Sequence, residues 1–178
     1  MELLIAVSIF SVVSIAIYST FSSGAAILRR VKDIDLVQQN ILLKQERFAR
    51  ELRTQPTYSQ QLFSGSKTKI SFPQSRDFLP VRTTYFFDSS SACLMRAVDE
   101  LSQIITSEGK IEEEIKSKPT IFLPKIKEVQ FSYLYLDLKA NAYLWTDEWS
   151  QDYLPAGVKM VIIKENQEYV STILIPRK

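Results

Sequence analysis

The sequence predicts an α+β protein, in which a long N-terminal helix packs on an antiparallel, mostly β domain. Two observations predict this class. The chain carries no charge from residue 3 to residue 28 and no proline before Pro56, which favours one continuous helix. After residue 66, segments rich in β-branched and aromatic residues alternate with turn residues, which favours strands. A helix combined with antiparallel strands makes an α+β arrangement.

Composition limits the functional class. The chain has 178 residues, which fits one folded domain plus the N-terminal segment. Its net charge of +2 lacks the clustered basic excess of a nucleic-acid-binding protein, so we expect no nucleic acid as a partner. The absence of histidine removes the commonest general base and metal ligand, and the single cysteine, Cys93, leaves no partner for an intramolecular disulfide.

Residues 1–28 are predicted to form the transmembrane half of the N-terminal helix, because about 20 apolar residues suffice to cross the hydrocarbon core. Arg29, Arg30 and Lys32 follow the apolar run. The positive-inside tendency would place these cations in the cytoplasm, which opposes an exported C-terminal domain unless a basic segment precedes Met1.

Small residues recur at four-residue spacing within this half, at Ala16, Thr20 and Gly24. In a helix they share one face, and faces of small residues let helices approach closely. Two interpretations stay open: a helix-packing face, or simply a composition rich in serine and alanine.

Residues 29–53 are predicted to form the amphipathic half of the same helix. Ile34, Ile41 and Phe48 fall near helical spacing, with charged and amide side chains between them. An apolar stripe of this kind needs a covering surface. We expect the stripe to divide between the protein's own sheet and partner helices.

Residues 54–178 are predicted to form a globular, mostly β domain. The segment VQFSYLYLDL alternates without a wholly polar face, which predicts an interior strand. In the segment ACLMRAVDELSQII the apolar spacing suits a helix, whereas the family resemblance given below implies a strand over residues 92–98, which is favoured. Breaks between strands are expected at several turn and proline positions, among them Pro73, Pro80 and residues 88–91.

The chain offers few groupings of residues that could carry out chemistry. Three serines lie at residues 89–91, but the chain has no histidine that could act as their general base, which favours a polar turn. The acidic side chains Asp147, Glu148 and Asp152 could offer hard oxygen ligands to calcium, but the EF-hand pattern is missing, which favours a polar loop. The sequence therefore predicts no enzyme, no cofactor and no metal, with these three acids as weak candidates.

The opening ELLIAVSIFSVV, with its amphipathic continuation, resembles the type IV pilin and pseudopilin family from that family's glutamate onward. The match places Glu2 at this glutamate. The resemblance implies that Glu2 pairs with the methylated N-terminal amine of a neighbouring subunit during assembly. The basic leader, the glycine and the Phe-Thr-Leu of the family signature do not appear before Met1. The resemblance also implies a prepilin peptidase as a partner if a leader lies upstream.

The C-terminal half resembles minor pseudopilin J of type II secretion more specifically. That family has a strand with Phe-x-Tyr, two tryptophans, and Leu-Pro before an alternating strand. The tryptophans are expected in the domain core or at a subunit interface, with a sugar-binding platform as the alternative. The matching residues are Phe131 and Tyr133, Trp145 and Trp149, and Leu154 and Pro155.

The resemblance implies a structural subunit of the pseudopilus tip complex, which primes pseudopilus assembly for export across the outer membrane. Its implied partners are the minor pseudopilins of the I and K types and the major pseudopilin, with secreted substrate as a further candidate. The implied location is the bacterial inner membrane, crossed once, with the C-terminal domain in the periplasm. The alternatives are a minor pilin of a type IV pilus or competence system, and a signal-anchored extracytoplasmic binding module, for example for carbohydrate.

Overall fold

The computed structural model describes residues 2–54, 63–104 and 114–176. Within the N-terminal helix it leaves out the side chains of residues 2–6, 8, 9, 12 and 26–37. The chain divides into two compact units, Met1–Leu43 and Lys44–Lys178. All the strands among the described residues lie in the second unit.

Helix α1 runs over Glu2–Arg53. Arg50 and Arg53 lie in its last turn, where cations interact favourably with the helix dipole. Thr54 ends the helix: its backbone N–H and its hydroxyl both donate to the Arg50 carbonyl, at 3.1 and 3.0 Å. These bonds satisfy a carbonyl that the helix itself leaves without a partner.

The predicted fold class is wrong. The described part of the chain is mostly antiparallel β-sheet, arranged as two sheets rather than as one sheet beneath a long helix. Only residues 44–53 of α1 belong to the compact unit that contains the sheets.

The predicted membrane crossing is wrong as well. Across the residues that can be described, no helix combines the length and the apolar character needed to cross a membrane. This finding overturns the transmembrane half of the helix and the single-pass location in the bacterial inner membrane with a periplasmic C-terminal domain. Hydroxyl side chains such as Ser11 and Thr20 dilute the apolar run, and each bonds back to the helix carbonyl four residues earlier.

The first sheet has five antiparallel strands in chain order. The segment predicted as a strand over residues 92–98 is confirmed, and the short helix α2 (Leu101–Ile104) follows it. The strands are β1 (Ser64–Gly65), β2 (Lys69–Arg76), β3 (Leu79–Asp88), β4 (Cys93–Glu100) and β5 (Thr120–Leu123).

The predicted breaks at Pro73 and Pro80 are wrong, because these prolines lie inside β2 and β3. The Phe87 N–H donates to the Thr68 carbonyl at 3.0 Å, and hydrogen-bonded pairs alternate along an antiparallel ladder. Pro73 therefore lies opposite Arg82 in a non-hydrogen-bonded pair, in which no carbonyl of β3 requires an N–H from this residue. Pro80 belongs to the same class of pair, so neither proline costs the sheet a ladder bond.

The turn between β2 and β3 lies instead at Asp77 and Phe78. Both residues have positive φ angles, 52° and 66°, as a two-residue hairpin turn that matches strand twist requires. Neither is glycine, so the turn carries backbone strain that the surrounding ladder holds in place.

The second sheet has four antiparallel strands in the order β7-β6-β8-β9. The prediction that VQFSYLYLDL is an interior strand is confirmed, because β6 pairs with β7 on one side and with β8 on the other. The strands are β6 (Glu128–Asp137), β7 (Ala142–Thr146), β8 (Gly157–Lys164) and β9 (Gln167–Leu174).

Candidate assembly site

The predicted small-residue face of α1 is open. Ala16, Thr20 and Gly24 are all exposed, and a Cβ built on Gly24 meets no atom within 4 Å. With Ile17 and Phe21 these residues line a shallow apolar groove along the helix. A groove with so little side-chain bulk allows a second helix to approach closely.

Large apolar side chains are exposed on several sides of this part of α1, and not only beside the groove. Phe10 is 74% exposed, Tyr18 76% and Phe21 80%. Isolated apolar residues on a surface are ordinary, but a contiguous apolar face this exposed marks an interaction site. The first unit therefore presents a helix surface that can bind apolar partners.

The other predicted helix residues divide between described and undescribed positions. Glu2 lies in the first turn of α1, but its side chain falls outside the described part, as does that of Ile34. Ile41 and Phe48 are buried, with 1% and 0% exposure.

Phe48 anchors the end of the helix in the second unit. Its ring centroid lies 5.0 Å from that of Tyr85 and 6.2 Å from that of Phe72, both on the first sheet. It lies 6.0 Å from the ring of Phe131 on the second sheet. The contacts with Phe72 and Tyr85 are edge-to-face and that with Phe131 is tilted, so one helix residue joins the cores of both sheets.

A polar cluster lies beside this aromatic core. The Arg96 guanidinium donates to both Glu51 carboxylate oxygens, from Nη2 at 3.1 Å and from Nε at 3.2 Å. The Tyr85 hydroxyl donates to Glu51 Oε2 at 2.7 Å, and Arg47 donates to Oε1 from one turn earlier at 3.0 Å. Glu51 thus binds the last turns of α1 to strands β3 and β4.

The surroundings of Tyr85 in this cluster favour its protonated form. Burial, reinforced by the negative charge of Glu51, raises the pKa of Tyr85 far above its ordinary value. Tyr85 therefore stays protonated and keeps donating to the carboxylate. Sequence reasoning missed this cluster; the only local signal was the Arg47–Glu51 spacing of four residues.

A second buried ion pair joins β3 to β4. Arg82 donates to Asp99 at 3.1 Å, and their side chains are 6% and 0% exposed. The backbone amides of Lys116 and Ser117 also donate to Asp99, at 3.1 and 2.7 Å. Burial would raise the pKa of Asp99, but the hydrogen bonds from Ser117 and the Arg82 guanidinium outweigh it and hold the pKa below its ordinary range.

Only one of the two predicted tryptophans lies in the core. Trp149 is 3% exposed, and its indole N–H donates to the Tyr153 carbonyl at 2.9 Å. Its backbone exchanges two hydrogen bonds with Gly65, at 2.9 and 2.8 Å, which joins β1 to the segment after β7. A side chain at Gly65 would collide with the ring of Tyr133, so this crossing requires glycine.

Trp145, by contrast, is 40% exposed on β7. The Lys159 ammonium lies 4.8 Å from the centre of its ring, within cation–π range. Tyr143, two residues earlier on the same face, is 59% exposed. Leu154 is half-buried and Pro155 is buried, just before β8.

The weak metal candidates are not gathered into a site. Asp147, Glu148 and Asp152 are all exposed, and Asp147 accepts a hydrogen bond from Ser132 at 3.1 Å. Within residues 2–54, 63–104 and 114–176, no group of three or more metal-ligating side chains is placed to hold an ion.

The serines at residues 89–91 lie in the turn between β3 and β4. Ser90 and Ser91 donate their hydroxyls to the Asp88 carboxylate, each at 2.7 Å. These bonds, that of Ser90 first, lower the pKa of Asp88. The hydroxyls are thus used to close a turn.

Comparison with known proteins adds no relative: no protein-family model and no curated protein matches the chain.

Proposed function

We propose that this chain is a structural assembly subunit of a pilin-like filament, of the minor pseudopilin J type. The observation that carries the proposal is the exposed apolar face of α1 around Ala16, Thr20 and Gly24. Water contact with such a face is unfavourable, and packing against the helices of sibling subunits removes it. The resemblance of the opening sequence to pilin-like helices supports the same assignment.

The anchored end of the helix supports the proposal from the other side. Within the second unit, Phe48 and Glu51 bind the last turns of α1 to the sheets through an aromatic cluster and a carboxylate held by Arg96 and Tyr85. A globular domain that holds the end of such a helix supports a structural role.

The proposed partners are the minor pseudopilins of the I and K types and the major pseudopilin. Glu2 is proposed to pair with the N-terminal amine of a neighbour, since an acid at a helix–helix interface is stabilised by a cation. A prepilin peptidase would generate that amine if a leader lies upstream, and secreted substrate remains a proposed contact of the assembled tip.

Bulk added to the small-residue face tests the assembly role. Gly24→Leu fills the groove, whereas Ser22→Leu adds an equally apolar side chain on the opposite face of α1. Tagged variants are isolated from host cells that express the sibling subunits, and the co-isolated siblings are quantified. We expect Gly24→Leu to lose them and Ser22→Leu to retain them. Equal recovery from both variants would count against assembly through this face.

The acid at the helix start permits an independent test. Glu2→Gln removes the charge while keeping the shape, and Glu2→Asp keeps the charge. We expect Glu2→Gln to fold normally but to fail to enter the filament, and Glu2→Asp to enter it in part. Normal incorporation of Glu2→Gln would remove the ion pair from the proposal.

One observation favours a second candidate, a carbohydrate-binding module. Tyr143 and Trp145 are exposed on one face of β7, and exposed aromatic rings can stack on sugars. Lys159 already covers one face of the Trp145 ring, which leaves less of it for a sugar. Retention on polysaccharide columns that disappears in Trp145→Ala, with sibling binding unchanged, would select this alternative.

A further inference from the structure

Strand β9 forms an edge of the second sheet and lacks the features that usually oppose further strand pairing. Its eight residues pair with β8 on one side, and none of the described strands pairs with the other side. Open edges normally carry devices against pairing, such as short length, lysine, proline or a bulge. β9 has one charged residue, Glu168, no lysine or proline, and an uninterrupted register with β8.

The other edges are protected. β1 has two residues and is closed by the bridge from Gly65 to Trp149. β5 has four residues, its register with β4 is irregular, and prolines flank it on both sides. β7 has five residues. Among the edge strands that the structure describes, β9 alone combines length with an absence of residues that oppose pairing.

The backbone groups that face this edge can be assigned. The Ile175 N–H donates to the Ala156 carbonyl at 3.0 Å, directly beyond the last β8–β9 pair. Because hydrogen-bonded pairs alternate along an antiparallel ladder, Val170, Thr172 and Leu174 direct their N–H and C=O groups away from β8. All three are exposed, Val170 by 55% and Leu174 by 62%.

We propose that β9 pairs antiparallel with β9 of a second copy of this chain, about a two-fold axis at Thr172. In this register Val170 of each copy lies opposite Leu174 of the other copy. Thr172 of one copy lies opposite Thr172 of the other, which is a favourable cross-strand pair. Glu168 lies opposite Pro176, so no like charges face each other. The two sheets become continuous, with their outer faces on the same side.

Other registers are poorer. An axis at Ser171 places Glu168 opposite Leu174, and an axis at Val170 places Leu174 opposite the turn residue Asn166. Of these three registers, only the one about Thr172 places Val170 opposite Leu174 at both ends. The β9 edge is therefore self-complementary in this register, as a two-fold interface requires.

Proline at the axis tests the pairing. The Thr172 N–H faces the open edge, so Thr172→Pro in both copies removes two symmetry-related bonds of the dimer without removing one to β8. Thr172→Val is the matched control, since it keeps the N–H and the side-chain shape. Sedimentation of the full chain is measured over a range of concentrations in mild detergent, which covers the apolar face of α1.

We expect the unmodified chain and Thr172→Val to dimerise with equal dissociation constants. Thr172→Pro should raise the constant by about tenfold to a hundredfold, with an unchanged circular dichroism spectrum. Gly24→Leu should leave this dimer intact, so the helix face and the sheet edge fail independently. If the unmodified chain stays monomeric, the proposal is overturned. The edge would then be open to a strand of another protein.

A cross-link tests the register. In a hydrogen-bonded antiparallel pair the Cα atoms lie about 5.5 Å apart, within reach of a disulfide, so Thr172→Cys should oxidise to a covalent dimer. Glu168→Cys is the control, because its two copies would be roughly 27 Å apart at 3.4 Å per residue. Native Cys93 is buried and common to both. Cross-linking of Glu168→Cys in preference to Thr172→Cys refutes the register.

Discussion

Removing the carboxylate at the end of α1 should destabilise the domain far more than an ordinary surface substitution. Glu51 accepts hydrogen bonds from Arg96 at 3.1 and 3.2 Å and from the Tyr85 hydroxyl at 2.7 Å. Both ends of the Glu51–Arg96 pair are only 14% exposed. Glu51→Ala therefore leaves a largely buried guanidinium and a buried hydroxyl without their acceptor.

The magnitude follows from these contacts. Breaking a buried ion pair by removing one partner costs about 3–5 kcal/mol, and the residual exposure of this pair argues for the lower end of that range. The Arg47 contact is an exposed i,i+4 pair and adds only about 0.3–0.5 kcal/mol. We expect Glu51→Ala to lower the free energy of unfolding by about 3 kcal/mol.

Urea unfolding of the full chain measures this change, with Glu46→Ala as the control. Glu46 is an exposed acid on the same helix, so its removal should change the free energy by less than about 0.5 kcal/mol. Combining Glu51→Ala with Arg96→Ala should cost less than the sum of the single changes, because the orphaned charge is gone. Purely additive costs, or equal costs at Glu51 and Glu46, would refute the buried-pair reasoning.

Three further changes have defined outcomes. Gly65→Ala should destabilise the domain by about 1–3 kcal/mol in urea, because its methyl group would displace the ring of Tyr133. Phe78→Gly should raise the melting temperature, since glycine relieves about 1 kcal/mol of strain at a φ of 66° and Phe78 is fully exposed. The free energy of unfolding should fall as pH drops from about 4 towards the lowered native pKa of Asp99, and Asp99→Asn should weaken this dependence in pH-resolved unfolding, leaving the part that comes from the lowered pKa of Asp88.

Strands were predictable where the pattern was local. β6 alternates along its length, and the structure pairs it on both sides. The prolines in β2 and β3 were misleading because composition alone does not show which pairs of a ladder are hydrogen-bonded. The two-residue turn at Asp77 and Phe78 contains no glycine, so the sequence did not indicate a turn there.

The rest depended on contacts between distant residues. Glu51 and Arg96 are 45 residues apart in sequence, and no pattern in either segment indicates the other. Charge-free length alone predicted a membrane crossing, whereas the hydroxyl side chains along α1 lower its hydropathy. Trp145 and Trp149 differ only in location: one lies exposed on β7 and the other lies against the glycine of β1.

The two ends of α1 allow structure to be separated from recognition. A Cβ at Gly24 would meet no atom within 4 Å, so Gly24→Leu should not lower the free energy of unfolding and should raise it by up to about 1 kcal/mol through helix propensity, while it blocks assembly. Glu51 is bound inside the globular unit, so Glu51→Ala should lower stability while leaving the small-residue face intact. If assembly needs both the face and a fixed domain, each change must reduce incorporation, but only the loss caused by Glu51→Ala should recover at lower temperature.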